Sequence, residues 1–300
     1  MSVAILGAGA IGVSFAARCC ANGIPVFLLE SNSHRAQAAR SEFAERKPTE
    51  SWAELAITDN LGEAVSDAYF VIECITERLD AKRNLFAELD PLIDPDRTTV
   101  ASSSSVFLPS DVFSGLNLAR SALVAHPLNP PEAIPMVELV PAPATSAEAM
   151  KAAEEFYSRI GMSPVKLNRE IAGYVSNRLQ AALLREAYLL VRDGIINADG
   201  VDTVVRSGLG RRWAFYGPFE VADLNTRGGI DAHAARLGDA YGRQAEERGS
   251  TNPWRDRDLI ESVTKERRHL LPIDEWDTAN AEREAKVRAL SELIAKLEEK

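Results

Sequence analysis

The sequence predicts an α/β protein: a mostly parallel sheet with interleaved helices over residues 1–168, then an all-helical domain over residues 169–300. Three observations predict it. Apolar residues Val3 to Leu6 run into Gly7-Ala8-Gly9-Ala10-Ile11-Gly12, a helical stretch reaches about Asn22, and Pro25 to Leu29 is again apolar. That is a β-α-β unit of ordinary length. Further short apolar runs alternate with helical stretches, which implies parallel pairing. After Asn168 the period changes: Val175, Leu179, Leu183, Ala187 and Leu190 fall on one helical stripe.

The elements follow in order. Residues 31–56 are polar and rich in Ala, Arg and Glu, and read as a helical excursion. Strands are expected at Tyr69 to Glu73, Thr98 to Ala101, Leu123 to Ala125, Met136 to Val140 and Pro164 to Leu167. A helix is expected over Ile171 to Val191, with no strand after it. The last segment, Ala281 to Lys300, places Val287, Leu290, Leu293, Ile294 and Leu297 on one stripe opposite a charged face.

Bulk properties exclude several function classes. Three hundred residues leave room for two cores. A net charge of -10 argues against nucleic-acid or anionic-membrane partners, because the phosphate-neutralising excess of Lys and Arg is missing. Three cysteines, Cys19, Cys20 and Cys74, have no metal-like spacing and form no disulfide framework; no metal site is expected. No apolar run approaches the roughly 18 residues of a membrane span. The chain opens on a strand with no signal peptide before it, and a reducing cytoplasm is the expected location.

The segment Gly7 to Gly12 has the pattern G-x-G-x-x-G between a strand and a helix. This is the dinucleotide-binding turn of a Rossmann domain. Gly7 permits the tight turn, Gly9 lets the backbone approach a pyrophosphate, and Gly12 lets helix and strand pack. Ala10 and Ile11 open the helix, whose free N–H groups face the phosphates. Glu30 ends the second strand, where an acid accepts hydrogen bonds from a ribose 2′-hydroxyl and repels a 2′-phosphate. The expected cofactor is therefore NAD. His34 and Arg35 lie nearby, and an arginine there is a group that tolerates a 2′-phosphate.

Of four histidines, His34, His233 and His269 sit in polar contexts. His126 follows the run Leu123 to Ala125 and precedes Pro127-Leu128-Asn129-Pro130-Pro131. It should lie at the carboxyl end of a strand, where open α/β sheets bind ligands. By position alone, a loop-bonding role and an acid–base role stay equally open.

The run His126 to Pro131, with Glu138 inside Met136 to Val140, resembles the catalytic segment of the L-3-hydroxyacyl-CoA dehydrogenase family. The likeness continues through Glu73 to Lys82, the serine run Ser102 to Ser105, and Gly173-Tyr174-Val175-Ser176-Asn177-Arg178. Within the family the chain is most similar to the L-gulonate 3-dehydrogenase and lambda-crystallin branch, through His126 to Pro141 and Ser207 to Glu220. The resemblance implies His126 as acid/base paired with Glu138, and Ser105 and Asn177 on the substrate oxygen or the histidine. It implies Glu77 and Lys82 on the nicotinamide half of NAD, and Asn129 on the nicotinamide or ribose side. The competing structural readings are a turn for Ser105, a cap or cross-link for Asn177, and a solvated charge pair for Glu77 and Lys82.

A small-molecule hydroxy acid requires a cation for its carboxylate. Arg212 is the first candidate, and Arg211 and Arg227 are the next. The leading expectation is oxidation of a small 3-hydroxy acid of the L-gulonate kind. The alternatives are a short 3-hydroxyacyl-CoA such as 3-hydroxybutyryl-CoA, carnitine, and a non-catalytic crystallin-like NAD-binding protein. About 25 residues between Glu30 and Ile57 leave no room for two long helices and a turn, which weighs against coenzyme A. In this the chain also departs from the gulonate enzymes, whose hairpin is longer. The resemblance further implies a homodimer formed through the C-terminal domain.

Overall fold

The computed structural model describes residues 1–46, 52–250 and 252–298. Eight strands form one sheet: β1 (Ser2–Leu6), β2 (Val26–Leu29), β3 (Leu55–Thr58), β4 (Ala68–Glu73), β5 (Thr99–Ser102), β6 (Ala122–Pro127), β7 (Met136–Pro141) and β8 (Ser163–Lys166). Their order is β3-β2-β1-β4-β5-β6-β7-β8. The first six pair in parallel, in the dinucleotide-binding order 3-2-1-4-5-6. β7 runs antiparallel to β6, and β8 runs parallel to β7.

The helices of this part are α1 (Ala10–Ala21), α2 (Ser33–Arg46), α3 (Leu61–Val65), α4 (Leu79–Leu89), α5 (Pro109–Phe113) and α6 (Ala147–Arg159). They cover both faces of the sheet, so successive β1 side chains enter different cores. Val3 and Ile5 join a cluster with Phe15, Phe70, Phe156 and Tyr157. Ala4 and Leu6 join one with Phe86, Val100, Phe113 and Tyr174. Burial on both faces is why β1 reads as an unbroken apolar run rather than an alternating one.

β3 was not among the strands expected from sequence. It is a four-residue edge strand, half-buried throughout, and such a strand carries too little alternation to stand out from the polar excursion before it. The excursion itself contains one helix, α2, of 14 residues; residues 47–51 lie outside the described residues. The expected strands at 69–73, 98–101, 123–125, 136–140 and 164–167 correspond to β4 to β8 within two residues at each end.

The remainder is helical: α7 (Ser176–Arg192), α8 (Ala198–Val204), a π-helical turn (Val205–Leu209), α9 (Gly210–Trp213), α10 (Pro218–Asn225), α11 (Gly229–Arg248), α12 (Arg257–Leu270) and α13 (Trp276–Glu298). The chain divides into two compact units, Met1–Asn177 with Glu284–Glu292, and Arg178–Arg283 with Leu293–Lys300. Among the described residues of the second unit, the buried hydrophobic side chains are Leu189, Ala198 and Leu259. Phe219 is 80% exposed, and Leu224 and Ile195 are each 69% exposed. No described helix is long and apolar enough to cross a membrane.

Candidate active site

The glycine turn is built by contact as much as by conformation. Gly7 has φ +108°, and a Cβ there would meet the Cys74 carbonyl oxygen at 2.8 Å. A Cβ on Gly12 would come within 2.0 Å of the Gly7 carbonyl oxygen. Gly9 is different: its nearest neighbour would be 3.9 Å away, and both Gly9 and Ala10 are exposed. So Gly7 and Gly12 are required by packing within the protein, whereas Gly9 keeps a surface open. Gly9 also caps α1 with no side-chain bond and no acid in the first turn. The first intrahelical bond is Val13 N–H to Gly9, which leaves the amides of Ala10, Ile11 and Gly12 ahead of the ladder. An open cradle of amides without a competing carboxylate fits a dinucleotide pyrophosphate.

Glu30 stands beside this turn. Its carboxylate accepts from Asn32 N–H at 2.9 Å and from Ala8 N–H at 3.4 Å. The acid is thereby held at the end of β2, the place from which a ribose 2′-hydroxyl is read.

His126 ends β6 and is paired across the antiparallel ladder with Glu138 of β7. The imidazole is 4% exposed, and its Nδ1 lies 3.0 Å from Glu138 Oε2. Glu138 is saturated with donors. Its Oε1 accepts from Val175 N–H at 2.9 Å and Ser176 N–H at 3.0 Å, and its Oε2 accepts from Ser176 Oγ at 2.6 Å. Burial opposes the charge on this carboxylate. The hydrogen bonds from His126, the Ser176 hydroxyl and the two amides outweigh it, and hold the carboxyl down at about 2. An ionised Glu138 keeps the proton of a neutral His126 on Nδ1 and leaves Nε2 as the free base.

The two amides reach Glu138 because the chain turns sharply just before them. Gly173 and Tyr174 both have positive φ, +79° and +49°. The Tyr174 ring is buried 5.2 Å from the His126 ring, and its hydroxyl donates to the Phe107 carbonyl at 2.6 Å. A bulky residue in the left-handed region costs on the order of 1–3 kcal/mol. The burial of the ring and the bond to Phe107 hold it there.

A second network backs the serine loop. Lys82 Nζ lies 2.7 Å from Glu73 Oε1 and 3.2 Å from Glu77 Oε2. Glu73 also accepts from Ser102 Oγ at 2.5 Å and Ile75 N–H at 2.7 Å. Glu77 accepts from Ser104 Oγ at 2.5 Å and from the amides of Ser105 and Val106 at 2.9 and 3.2 Å. Asn177 Nδ2 donates to the Ser105 carbonyl at 2.9 Å.

The structure therefore brings together His126 with Glu138, Glu77 with Lys82, and Ser105 with both Glu77 and Asn177. Glu77 and Lys82 are not a solvated pair, since Lys82 is 1% exposed. Asn129 is exposed beside the cis Asn129–Pro130 bond. Arg211, Arg212 and Arg227 are exposed on the second unit. Sequence reasoning gave no role to Glu73, Tyr174 and Ser176. Tyr174 and Ser176 lie inside the quoted motif Gly173 to Arg178, so their signal was present. Glu73 likewise opens the motif Glu73 to Lys82, but at the end of an apolar strand nothing local pairs it with Lys82 nine residues on.

Residues 2–171 match the family model for the 3-hydroxyacyl-CoA dehydrogenase NAD binding domain, and residues 173–268 match that for its C-terminal domain. The chain is 40% identical to lambda-crystallin of Oryctolagus cuniculus over 235 residues, 76% of this chain and 73% of that one. It is 35% identical to L-carnitine dehydrogenase of a Pseudomonas species over 225 residues, 72% and 70% of the two chains. Among solved structures it is similar to 5-formyl-3-hydroxy-2-methylpyridine 4-carboxylic acid 5-dehydrogenase, described as an NAD+ dependent dismutase. That match has a TM-score of 0.83 and 26% identity, and covers 98% of each chain. Two family models that together span residues 2–171 and 173–268, and 40% identity to lambda-crystallin over three quarters of the chain, show that it belongs to the 3-hydroxyacyl-CoA dehydrogenase family and is an NAD-dependent hydroxy-acid dehydrogenase.

Proposed function

We propose that this enzyme oxidises the 3-hydroxyl of a small free hydroxy acid of the L-gulonate kind. The short path between β2 and β3, where the described residues form one 14-residue helix, α2, carries the choice of a free acid over a coenzyme A ester, and the L-gulonate kind rests on the likeness to lambda-crystallin. Two full helices and a turn beside the site would offer a long wall for coenzyme A, and one helix does not. Two named relatives support it. L-carnitine dehydrogenase is named for a small substrate, and the pyridine carboxylic acid dehydrogenase matches this chain end to end.

His126 Nε2 would take the hydroxyl proton of the substrate as the alcohol is oxidised and would return it to the carbonyl oxygen in the reverse reaction. The cofactor supplies the hydride acceptor. Glu138 fixes the imidazole tautomer and stabilises the imidazolium as it forms. Ser105 and Asn177, joined to each other, shape the loop that meets the substrate oxygen. Lys82, buried against Glu73, holds Glu77 and that loop from behind; Glu77 is the group of this pair that reaches the nicotinamide half, and exposed Asn129 the candidate for its nicotinamide or ribose side. Gly7, Gly9, Ala10, Ile11, Gly12 and Glu30 hold the adenosine and pyrophosphate half. Arg212 is the candidate partner of the substrate carboxylate.

A homodimer through the helical unit belongs to the same proposal. A unit exposing Phe219, Leu224 and Ile195 while burying few side chains has the apolar surface of an interface. A cytoplasmic location belongs to the same proposal: among the described residues Cys19, Cys20 and Cys74 enter no disulfide.

The test is reduction of NAD+ with L-gulonate, carnitine and 3-hydroxybutyryl-CoA in parallel. Turnover on a free acid supports the reading. Turnover confined to the thioester replaces it with the family's acyl-CoA reaction. NAD binding without turnover on any related hydroxy acid moves the protein to the crystallin-like alternative.

A further inference from the structure

Arg35 is the cation that the sequence leaves available for a 2′-phosphate, and the structure shows it engaged elsewhere. Its Nη1 and Nη2 donate to the two oxygens of Glu42 at 2.7 and 3.1 Å. Its Nε donates to the Ala8 carbonyl at 2.5 Å. Glu42 lies seven residues further along α2, two turns on and therefore on the same face. Its own backbone is held by Arg46 Nη1, which donates to the Glu42 carbonyl at 2.9 Å. On the other side of Ala8 stands Glu30, in contact with the Ala8 amide. Glu30, Arg35 and Glu42 thus surround the second residue of the glycine turn, two carboxylates to one guanidinium.

We propose that Glu42 is a cofactor-specificity residue, which holds Arg35 in a bidentate pair and so keeps it from a ribose 2′-phosphate. The idea rests on the NAD assignment and deepens it. Glu30 excludes a 2′-phosphate by repulsion. Glu42 excludes it by occupying the neighbouring guanidinium, whose planar fork suits carboxylate and phosphate alike. Its negative charge leaves the group of three at a net charge of -1, unfavourable to a dianion. The pair is weakly placed to stabilise the fold, because its side chains are 32% and 34% exposed. Its geometry is better explained by what it withholds than by what it holds up.

The experiment measures dissociation constants of NADH and NADPH by nicotinamide fluorescence on the full chain. The proteins are wild type, Glu42→Gln, Glu30→Ser, the double variant, and the double variant with Arg35→Ala. Glu42→Gln should leave the melting temperature and NADH affinity nearly unchanged and tighten NADPH about 10-fold, the scale of one charge-assisted hydrogen bond. The double variant should bind NADPH more tightly than the product of the single effects predicts, and Arg35→Ala should abolish that gain. The proposal is overturned if Glu42→Gln does not improve NADPH in either background, or if the gain survives loss of Arg35. Failure of the wild type to bind NADH would instead overturn the cofactor assignment beneath it.

Discussion

Lys82 and Glu73 form an ion pair inside the protein, 2.7 Å apart, with side chains 1% and 0% exposed. The pair ties the end of β4 to the first turn of α4. Through the 3.2 Å contact of Lys82 with Glu77 it also supports the loop that carries Ser104 and Ser105. Removing one partner leaves an uncompensated buried charge, so Lys82→Met should cost about 3–5 kcal/mol. Glu73→Gln/Lys82→Met together should cost clearly less than Lys82→Met. Urea unfolding of both variants checks this, and equal losses would count against a coupled pair.

His126→Ala should lower turnover by about 100- to 10,000-fold while leaving NADH binding intact. The imidazole lies at the carboxyl end of β6, apart from the glycine turn that begins where β1 ends. Steady-state kinetics and a fluorescence titration on the same preparation separate the two effects.

Glu138 gives a signed pH prediction. Its folded value, about 2, lies below its ordinary 4.5. Its contribution is therefore complete above about pH 4.5 and is lost as the pH falls toward 2. At pH 7, Glu138→Gln should be less stable than wild type by about 2–3 kcal/mol. The gap should close as the pH is lowered through that window. Denaturant melts at pH 7, 5 and 3 measure it, and a gap that does not change with pH would show that the carboxylate's charge is not what stabilises.

Two glycines of one motif should fail differently. Gly12→Ala places a Cβ against the Gly7 carbonyl and should destabilise the fold by more than about 1 kcal/mol. Gly9→Ala brings a Cβ no closer than 3.9 Å to the Cys74 carbonyl oxygen, so the fold should hold while NADH affinity falls at least about 10-fold, with the pyrophosphate approach blocked. Thermal melts with and without NADH distinguish the two.

The wild type should sediment at twice the chain mass. Phe219→Asp/Leu224→Asp, both exposed on α10, should shift it toward the monomer by placing charges in an apolar contact. Sedimentation velocity reads this directly, and a wild-type monomer at micromolar concentration would remove the dimer from the proposal.

Much of the site was legible in the sequence because its signals are local. The glycine turn, Glu30 at the end of β2 and His126 at the end of β6 each follow from a strand and its neighbouring residues. Short apolar runs alternating with helical stretches likewise put a parallel sheet within reach, while the edge strand β3 stayed invisible because four half-buried residues form too short an apolar run. Ser176 lay in a motif whose meaning was read from Asn177 beside it, and its bond to Glu138 spans 38 residues.

By itself, then, the sequence determined the alternation of strands and helices and the glycine turn between β1 and α1. Each of these is written in the spacing of neighbouring residues. Only the tertiary structure decided which charges are spent on one another. Register across the antiparallel β6 and β7 sets His126 against Glu138. The left-handed turn at Tyr174 aims two amides at the same carboxylate. Burial turns Lys82 from a surface charge into the partner of Glu73, and two turns of α2 close Glu42 over Arg35. Hydrogen-bond and ion-pair energies depend on distances of a few ångströms between atoms far apart in the chain. Those distances exist only once the fold has brought the atoms together.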